Sequence, residues 1–425
     1  TIIEHRSVDI TNRCSLGDSM RSGNLKNILI LSFTLVVVTL GFGLVMPIIP
    51  FYMEQLGAGG TELGMLVASY AVMRLIFGPI WGGVSDRVGR KPILMLGVLG
   101  YGITMVGFGI ATALWMMFAA RILSGVLSSA TSPTTMAYIG DSTSDEDRSQ
   151  GMGLLGAAAG LGIIFGPALA GLLANRSLST PFFVAAGLSL IAVLLIRLLL
   201  PESLSVSERR RSEESAWNPR EWVQSLFSPV GPLMVLVFLV TAGSMTMYGI
   251  IGLYALERFD AGTTQVGVLF AVLGLLTAVG QGLLVGPLTK RFGDLRVIEA
   301  GFLTSAASLL VVMWADSYTM LVVAIGLFAV CSAPLIPAAT SITSKRAVLS
   351  QGMTMGLSNS FISLGRIFGP AIGGVVFDLD LALPFVCGAI VMLIGFGVAM
   401  RWVGSPPERE KPDPAVAALL EHVDR

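Results

Sequence analysis

The feature that most constrains this chain is its series of long apolar blocks that contain no charged residue. Residues 28–50 form one such block of 23 residues. A helix needs about 20 mostly apolar residues to cross the hydrocarbon core of a bilayer. Only 13% of all residues are charged, compared with about 25% in a typical soluble protein. The sequence therefore predicts an all-α membrane protein with many transmembrane helices.

Apolar blocks separated by turn residues and charges predict twelve membrane spans. The predicted spans run over residues 26–50, 62–84, 92–111, 113–138, 151–173, 181–200, 229–254, 264–288, 295–314, 319–341, 351–377 and 383–403. The longest polar loop lies at mid-chain and predicts a linker between two six-helix bundles. The predicted domains are an N-terminal polar segment (1–25), a first bundle (26–200), the linker (201–228), a second bundle (229–403) and a cytoplasmic tail (404–425).

A ten-residue segment that occurs twice indicates that the two bundles are related. The first copy is Gly162–Gly171 and the second is Gly365–Gly374, 203 positions later, with seven of ten residues identical. Each copy also has a glycine nine residues upstream, Gly153 and Gly356. Such agreement between two apolar segments predicts a duplicated architecture.

Lysine and arginine residues are concentrated in every second loop. The loops at 85–91, 139–150, 201–228, 289–294 and 342–350, with both termini, hold nearly all of them. The other loops hold only Arg176 and Arg258. Because cytoplasmic loops of membrane proteins are enriched in Lys and Arg, we predict a cell-membrane protein with both termini in the cytoplasm.

The sequence offers little for enzyme or cofactor chemistry. Its three cysteines are scattered and its two histidines lie near the termini, so neither a disulfide framework nor a metal site is expected. No phosphate-binding loop of the Gly-x-x-x-x-Gly-Lys-Ser/Thr kind occurs, which argues against ATP as an energy source. We expect no catalytic residue, metal or cofactor. The expected partners of this monomer are a small-molecule substrate, protons and lipid, with no nucleic acid.

The loop after the second predicted span carries a family resemblance. It reads Gly-Gly-Val-Ser-Asp-Arg-Val-Gly-Arg-Lys over residues 82–91. This resembles the Gly-x-x-x-Asp-Arg-x-Gly-Arg-Lys loop of the major facilitator superfamily, whose fold has twelve transmembrane helices in two six-helix bundles. In that family the loop is a latch for the outward-open state, and an alternative here is a simple anchor on the positive side. The resemblance assigns the latch to Gly82, Asp86, Arg87, Gly89, Arg90 and Lys91.

The second half has a divergent copy of this loop at residues 286–294. Gly286, Arg291 and Gly293 match the first copy at an offset of 204, whereas Lys290 replaces the aspartate. Asp294 replaces the first basic residue after the glycine. We expect the first copy to dominate the latch.

The repeated segment resembles the fifth-helix antiporter motif of drug:proton antiporters, although Ala170 stands where the family usually has Gly. A proline kinks a helix, and glycines allow a neighbouring helix to approach closely. This combination predicts a hinge that stays sealed while the halves rock, with ordinary helix packing as the alternative. The predicted hinge comprises Gly153, Gly162, Gly166, Pro167, Gly171, Gly365, Gly369 and Pro370.

Three further segments resemble the 12-helix tetracycline and multidrug exporters of the same superfamily. They lie at residues 41–50, 138–141 and 256–259. The resemblance extends over nearly the whole chain, apart from the first 24 residues, the linker and the tail.

Three arginines fall within predicted spans, where a charge is costly and marks a functional candidate. Arg121 resembles the family's fourth-helix arginine, which is linked to proton coupling, and the alternative is an arginine that holds two helices together. The first span has no acid between residues 28 and 50, which argues against a strict preference for cations. The predicted substrate cavity comprises Tyr70, Arg74, Gln281, Asn359 and Arg366. Gln281 and Arg74 could equally make ordinary contacts between helices.

An exchanger also needs a carboxylate that takes up a proton in one state and releases it in another. Asp141 is the first choice because its context matches the family, and it is predicted to act with Arg121. Glu54, Glu257 and Glu299 are the other candidates. Solvated charges at helix ends are the more ordinary interpretation of Glu54 and Glu257.

The resemblance implies a proton-coupled secondary transporter that exports small hydrophobic drug-like molecules by alternating access. The arginines motivate an alternative, an exporter of an anionic metabolite or siderophore-like compound. A membrane receptor or scaffold would need neither hinge nor latch. A membrane enzyme is disfavoured because the spans contain no clustered nucleophile, His or acid.

Overall fold

The structure is a computed structural model that describes residues 2–143, 145–204, 231–346 and 351–403. These residues form sixteen α-helices and no strand. The helices are α1 (Ile2–Gln55), α2 (Gly60–Val88), α3 (Arg90–Gly109), α4 (Leu114–Ser128), α5 (Thr131–Ser142), α6 (Asp145–Ala174), α7 (Thr180–Leu199), α8 (Gly231–Tyr248), α9 (Ile251–Phe259), α10 (Thr263–Leu283), α11 (Val285–Phe292), α12 (Asp294–Val312), α13 (Tyr318–Ser332), α14 (Leu335–Lys345), α15 (Gln351–Phe377) and α16 (Leu383–Val398). A short π-helix, Ala399–Val403, follows α16.

Twelve helical spans in the described residues are long and apolar enough to cross a bilayer. They coincide with the twelve predicted spans, so the predicted all-α membrane fold is confirmed. Spans four, seven and ten each consist of two successive helices, namely α4 with α5, α8 with α9 and α13 with α14. Most of the predicted linker and the predicted tail lie outside the described residues, and the domain boundaries stay predictions.

Successive spans alternate in direction, so their ends lie on two opposite faces. The face reached by the end of α2 and the end of α11 carries the lysines and arginines of the two related loops, and we call it the basic face. The opposite face, reached by the end of α1 and the end of α15, is called the acidic face. Its helix ends and loops carry Glu54, Glu62, Glu257, Asp316, Asp378 and Asp380.

The two halves meet mainly along two seams, one between α2 and α15 and one between α6 and α10. Near the acidic face both seams are tight. A Cβ atom at Gly64 would lie 2.2 Å from the carbonyl oxygen of Pro370, and one at Gly267 would lie 2.6 Å from that of Pro167. Only glycine allows the two backbones to approach this closely, and close approach is how helices gain packing energy in lipid.

Towards the basic face the same helices have free space beside their glycines. A Cβ atom would meet nothing within 4 Å at Gly78 of α2, Gly160 of α6, Gly282 of α10 or Gly356 of α15. The close contacts between the halves are thus concentrated near the acidic face. The halves enclose a central cleft that is closed there and opens towards the basic face.

Candidate functional site

The first copy of the repeated segment lies on α6 and packs against both halves. A Cβ atom at Gly162 would lie 2.6 Å from the backbone nitrogen of Leu40 on α1, and one at Gly166 would lie 2.6 Å from the carbonyl oxygen of the same residue. Five positions further on, a Cβ atom at Gly171 would lie 2.8 Å from the carbonyl oxygen of Thr263 on α10. This helix therefore touches its own half and the opposite half through glycines.

The second copy, on α15, makes the equivalent contacts. A Cβ atom at Gly365 would lie 2.8 Å from the backbone nitrogen of Ala242 on α8, and one at Gly369 would lie 2.6 Å from its carbonyl oxygen. At Gly374 the Cβ atom would lie 2.2 Å from the carbonyl oxygen of Gly60 on α2. Here α8 stands in the place of α1, and α2 in the place of α10.

The remaining predicted hinge residues differ in their surroundings. Pro167 lies within α6 and Pro370 within α15. Each proline contacts a neighbouring helix, because a Cβ atom at Gly43 of α1 or at Gly249 after α8 would lie 2.9 Å from the respective proline ring. Gly153 borders free space. The packing fits a hinge, and the movement itself stays a prediction.

Arg121 lies within the first half, where its side chain is buried. Its guanidinium carbon lies 4.7 Å from the centroid of the Tyr70 ring and 6.0 Å from that of Phe42. Its Nε and Nη2 atoms have no hydrogen-bond partner within the described residues. The aromatic faces offset part of the cost of burying this charge.

Tyr70 connects Arg121 to the α2–α15 seam. Its hydroxyl lies 3.2 Å from the Ser128 Oγ, and the charge of Arg74, one turn further along α2, is close enough to interact with it. Arg366 of α15 is close enough to Arg74 for the two charges to repel each other. Three of the five predicted cavity residues therefore lie close together, Tyr70 and Arg74 from the first half and Arg366 from the second.

Gln281 and Asn359, the other predicted cavity residues, are exposed and lie on α10 and α15. Within the described part of the chain, neither side chain forms a hydrogen bond with the tyrosine and arginine group. Their assignment to the cavity stays a prediction.

The loop between α2 and α3 is organised around Arg90 on the basic face. Its Nη1 donates to the Ser85 Oγ at 2.7 Å and forms an ion pair with Asp86, and its Nε donates to Asp141 Oδ2 at 2.9 Å. Gly89 has φ 119°, in the region that favours glycine, so this residue permits the tight reversal. The loop is thus tied to α5 of its own half in this conformation.

The structure consequently places Asp141 beside Arg90 rather than beside Arg121. Asp86 likewise forms an ion pair with Arg90 of its own loop. The latch and the proton-coupling pair stay predictions.

Sequence reasoning missed Glu202, which it placed in the linker. Its carboxylate accepts hydrogen bonds from the backbone N–H groups of Arg90 at 2.8 Å and Lys91 at 3.2 Å. These are the first residues of α3, where unsatisfied N–H groups and the helix dipole favour an anion. The only signal in the sequence is an acid just after a span, and its partners lie more than 100 positions upstream.

The divergent loop of the second half has the same backbone but exchanged charges. Gly293 has φ 82°, and Asp294 Oδ2 accepts hydrogen bonds from Lys345 Nζ at 2.5 Å and Ser341 Oγ at 3.2 Å. Asp294 and Lys345 stand 204 positions after Arg90 and Asp141. The acid and the base have therefore changed places at equivalent positions.

Sequence reasoning also missed Asp378, which links the halves at the acidic face. Its Oδ1 accepts a hydrogen bond from the backbone N–H of Gly60 at 2.7 Å, and its Oδ2 accepts one from the backbone N–H of Thr61 at 2.8 Å and one from the Thr61 hydroxyl. Burial alone would raise the pKa of Asp378. The three hydrogen bonds outweigh burial and hold that pKa below its ordinary value of 3.8.

The other candidate proton carriers lie near the two membrane faces, away from Arg74, Arg121 and Arg366. Glu54 and Glu257 are exposed at the ends of α1 and α9, on the acidic face. Glu299 is half-buried near the start of α12, at the basic face. None of the three forms an ion pair with an arginine of the cleft in the described residues.

Comparison with known proteins agrees with this architecture. The family model of the Major Facilitator Superfamily matches residues 31–284 and again residues 233–423. The chain is 32% identical to multidrug resistance protein 2 of Bacillus subtilis (strain 168), covering 88% of this chain and 94% of that protein. It is 31% identical to the class C tetracycline resistance protein of Escherichia coli, covering 88% and 96% of the two chains.

A solved structure has the same fold at lower sequence identity. It is a bacterial homologue of the human lysosomal transporter Spinster, in an inward-facing and occupied conformation. The TM-score is 0.74 at 13% identity, with 88% of this chain and 96% of that chain covered.

Together with two related bundles of membrane helices, the family match and these relatives identify a membrane transporter and not an enzyme. The chain belongs to the major facilitator superfamily, and its relatives include multidrug and antibiotic efflux proteins.

Proposed function

We propose that this protein is a proton-coupled exporter of small, hydrophobic, drug-like molecules that works by alternating access. The observation that carries the proposal is the paired seam packing. Gly171 and Gly374 close the cleft at the acidic face from equivalent positions, while the same helices have free space near the basic face. Parallel repeats that rock against each other around a fixed site operate through such related contacts.

The relatives support the substrate class, because proteins named for multidrug and tetracycline resistance match 88% of this chain. The concentration of Lys and Arg supports a cytoplasmic basic face. In this conformation a molecule would enter the cleft from the cytoplasm, and rocking of the halves would release it on the acidic side.

Proton coupling is the remaining part of the proposal. Asp141 forms an ion pair with Arg90. Arg121, on the same span, is buried with 2% of its surface exposed and has no carboxylate partner in the described residues. We propose that protonation of Asp141 loosens the loop between α2 and α3 and so favours the change of state. The loop's ties to α5 support this coupling between a carboxylate and a moving part.

Purified protein in liposomes with an imposed pH gradient tests this function. We expect a panel of cationic, neutral and anionic compounds to include substrates that accumulate against their gradient, and we expect nigericin to abolish the accumulation. Asp141→Asn should abolish pH-driven accumulation but leave downhill flux. Asp316→Asn, which changes an exposed carboxylate on the acidic face, is the matched control. Accumulation that nigericin leaves unchanged would disprove proton coupling.

A further inference from the structure

The central cleft contains positive charge that no described carboxylate balances. The ion pairs among the described residues include none of Arg74, Arg121 and Arg366. On α2 the nearest acids to Arg74 are Glu62 and Asp86, each twelve positions away, and twelve residues of helix extend about 18 Å. Arg121 is buried, Arg74 is half-buried and Arg366 is exposed, and all three lie in membrane-spanning helices. A charge without a counter-charge is costly there, so a binding partner of opposite charge would stabilise this site.

The geometry of α15 shows which way Arg366 faces. Residues four apart share a helix face, so Arg366, Pro370 and Gly374 follow one another along one side of α15, and Asp378 comes directly after its end. Pro370 and Gly374 touch Gly64 of α2, and Asp378 caps the start of α2. Arg366 therefore lies on the side of α15 that faces α2, at the point where the seam widens into the cleft.

The equivalent position in the first half gives the same placement independently. Ile163 corresponds to Arg366 at the offset of 203, and its carbonyl oxygen would lie 3.5 Å from a Cβ atom at Gly274 of α10. Gly274 stands 204 positions after Tyr70, the residue that links Arg74 and Arg121. By this equivalence Arg366 of the second copy lies at the level of Tyr70 on α2. The equivalent neighbours in the first copy are the apolar Ile163 and Gly274.

The two sides of the cleft consequently differ in chemistry. The α2–α15 seam presents Arg74 and Arg366 beside the Tyr70 hydroxyl, and the buried Arg121 behind Tyr70 has two nitrogen atoms without a hydrogen-bond partner in the described residues. The α6–α10 seam presents Ile163 beside Gly274. One side suits an anionic group, and the other suits an apolar body.

We propose that the α2–α15 seam binds the anionic group of an amphiphilic organic anion, held between Arg74 and Arg366 with its apolar part towards the α6–α10 seam. That such an anion is a transported substrate rests on the proposed transport function, whereas its binding can be measured without transport. A carboxylate can accept hydrogen bonds from both guanidinium groups, which also removes the repulsion between them. Because the two arginines come from different halves, the anion would bind only where the halves meet.

Binding of a matched pair of fluorescent probes to the full-length protein in lipid nanodiscs tests the proposal. The probes are dansyl-phenylalanine, which carries a carboxylate, and its uncharged amide. We expect the carboxylate probe to bind saturably and at least roughly tenfold more tightly than the amide. This ratio corresponds to the binding free energy of about one charge-assisted hydrogen bond. Arg366→Gln should remove this preference, Arg366→Lys should keep part of it, and Arg197→Gln, at an exposed arginine of α7, should leave it unchanged.

Three results would overturn the proposal. The first is equal or stronger binding of the uncharged amide by the unaltered protein, and the second is no saturable binding of either probe; neither measurement needs a variant to fold. The third is a preference for the carboxylate that survives Arg366→Gln. Charge-selective binding without pH-driven transport would support the anion site and contradict only the proposed proton coupling. The failure of one proposal can therefore be distinguished from the failure of the other.

Discussion

Asp378 accepts hydrogen bonds from both the backbone N–H and the side-chain hydroxyl of Thr61, 317 positions earlier in the chain. The carboxylate belongs to the second half and the helix start belongs to the first. Near the acidic face this ionic cap reinforces the glycine contacts of the α2–α15 seam. A helix N-terminus favours an anion, so the cap stabilises the conformation in which the seam is closed.

The first prediction concerns removal of this cap. Asp378→Asn should shift the protein towards states that are open at the acidic face, because the amide has one acceptor oxygen for three donors and lacks the charge that a helix N-terminus favours. Together these losses cost about 1 kcal/mol, a factor of roughly five in an equilibrium. Spin labels at Met65 and Leu379, in a background without the native cysteines, would report the distance across the seam. Asp380→Asn is the matched control, since Asp380 bonds to Ala382 within its own loop. Equal distance distributions in the two variants would refute a role in closure.

The second prediction concerns pH. The pKa of Asp378 is held below 3.8 in the closed seam and returns to its ordinary value when the seam opens. A lowered pKa gives stability that is present above the ordinary pKa and is lost as the pH falls through the lowered value. We therefore expect the contribution of Asp378 to closure to be constant from pH 8 to pH 5 and to disappear only below about pH 4. The distance between the same two spin labels, followed as a function of pH in the unaltered protein and in Asp378→Asn, measures this contribution.

A step between pH 5 and pH 7 that Asp378→Asn abolishes would contradict this. It would make Asp378 a proton carrier, whereas the expected result leaves that role to another carboxylate.

The twelve spans could be predicted from sequence because the bilayer fixes the length and composition of each helix. The duplication could be predicted because the glycines that permit close helix contacts are retained in both copies. Both signals are local, and neither depends on which helices meet.

The contacts of Asp378 and Glu202 could not be predicted in this way. Each carboxylate caps a helix whose start lies far away in the chain, and nothing near either residue shows which helix end will approach it. Replacement of a basic residue by Asp294 was visible in the sequence, but its partner Lys345 was not. Cross-helix partners follow from which faces pack together, and this is a property of the assembled bundle.

The third prediction compares the two charge-exchanged loops. The Arg90 side chain is 9% accessible and has three side-chain partners, whereas the Lys345 side chain is 68% accessible. Removing Arg90 leaves two carboxylates, 36% and 29% accessible, without their shared partner, whereas removing Lys345 leaves one carboxylate, Asp294, which keeps its hydrogen bond from Ser341. Such half-buried pairs contribute less than fully buried ones. We expect Arg90→Ala to lower the free energy of unfolding by about 2 kcal/mol and Lys345→Ala by at most about 1 kcal/mol. Thermal unfolding in detergent, followed by circular dichroism, ranks the two variants, and equal losses would show that the loops are equivalent.

The fourth prediction concerns the repeated segment itself. A Cβ atom at Gly166 would lie 2.6 Å from the carbonyl oxygen of Leu40 and 2.8 Å from the Cα of Gly43, so α1 and α6 must move apart in Gly166→Ala. Overpacking of this kind costs about 1–3 kcal/mol. Gly160, six residues earlier on the same helix, borders free space, and Gly160→Ala should be neutral or stabilising by up to about 1 kcal/mol.

Transport separates packing from movement in these two variants. If α6 must keep its contact with α1 while the seam with α10 opens, Gly166→Ala should slow export several-fold more than its folded fraction explains, and Gly160→Ala should export normally. Initial export rates in liposomes, normalised to the amount of folded protein, give the comparison. A rate for Gly166→Ala that follows the folded fraction alone would reduce the segment to static packing. A loss of export in Gly160→Ala would show instead that the free space along α6 is needed for the movement of the halves.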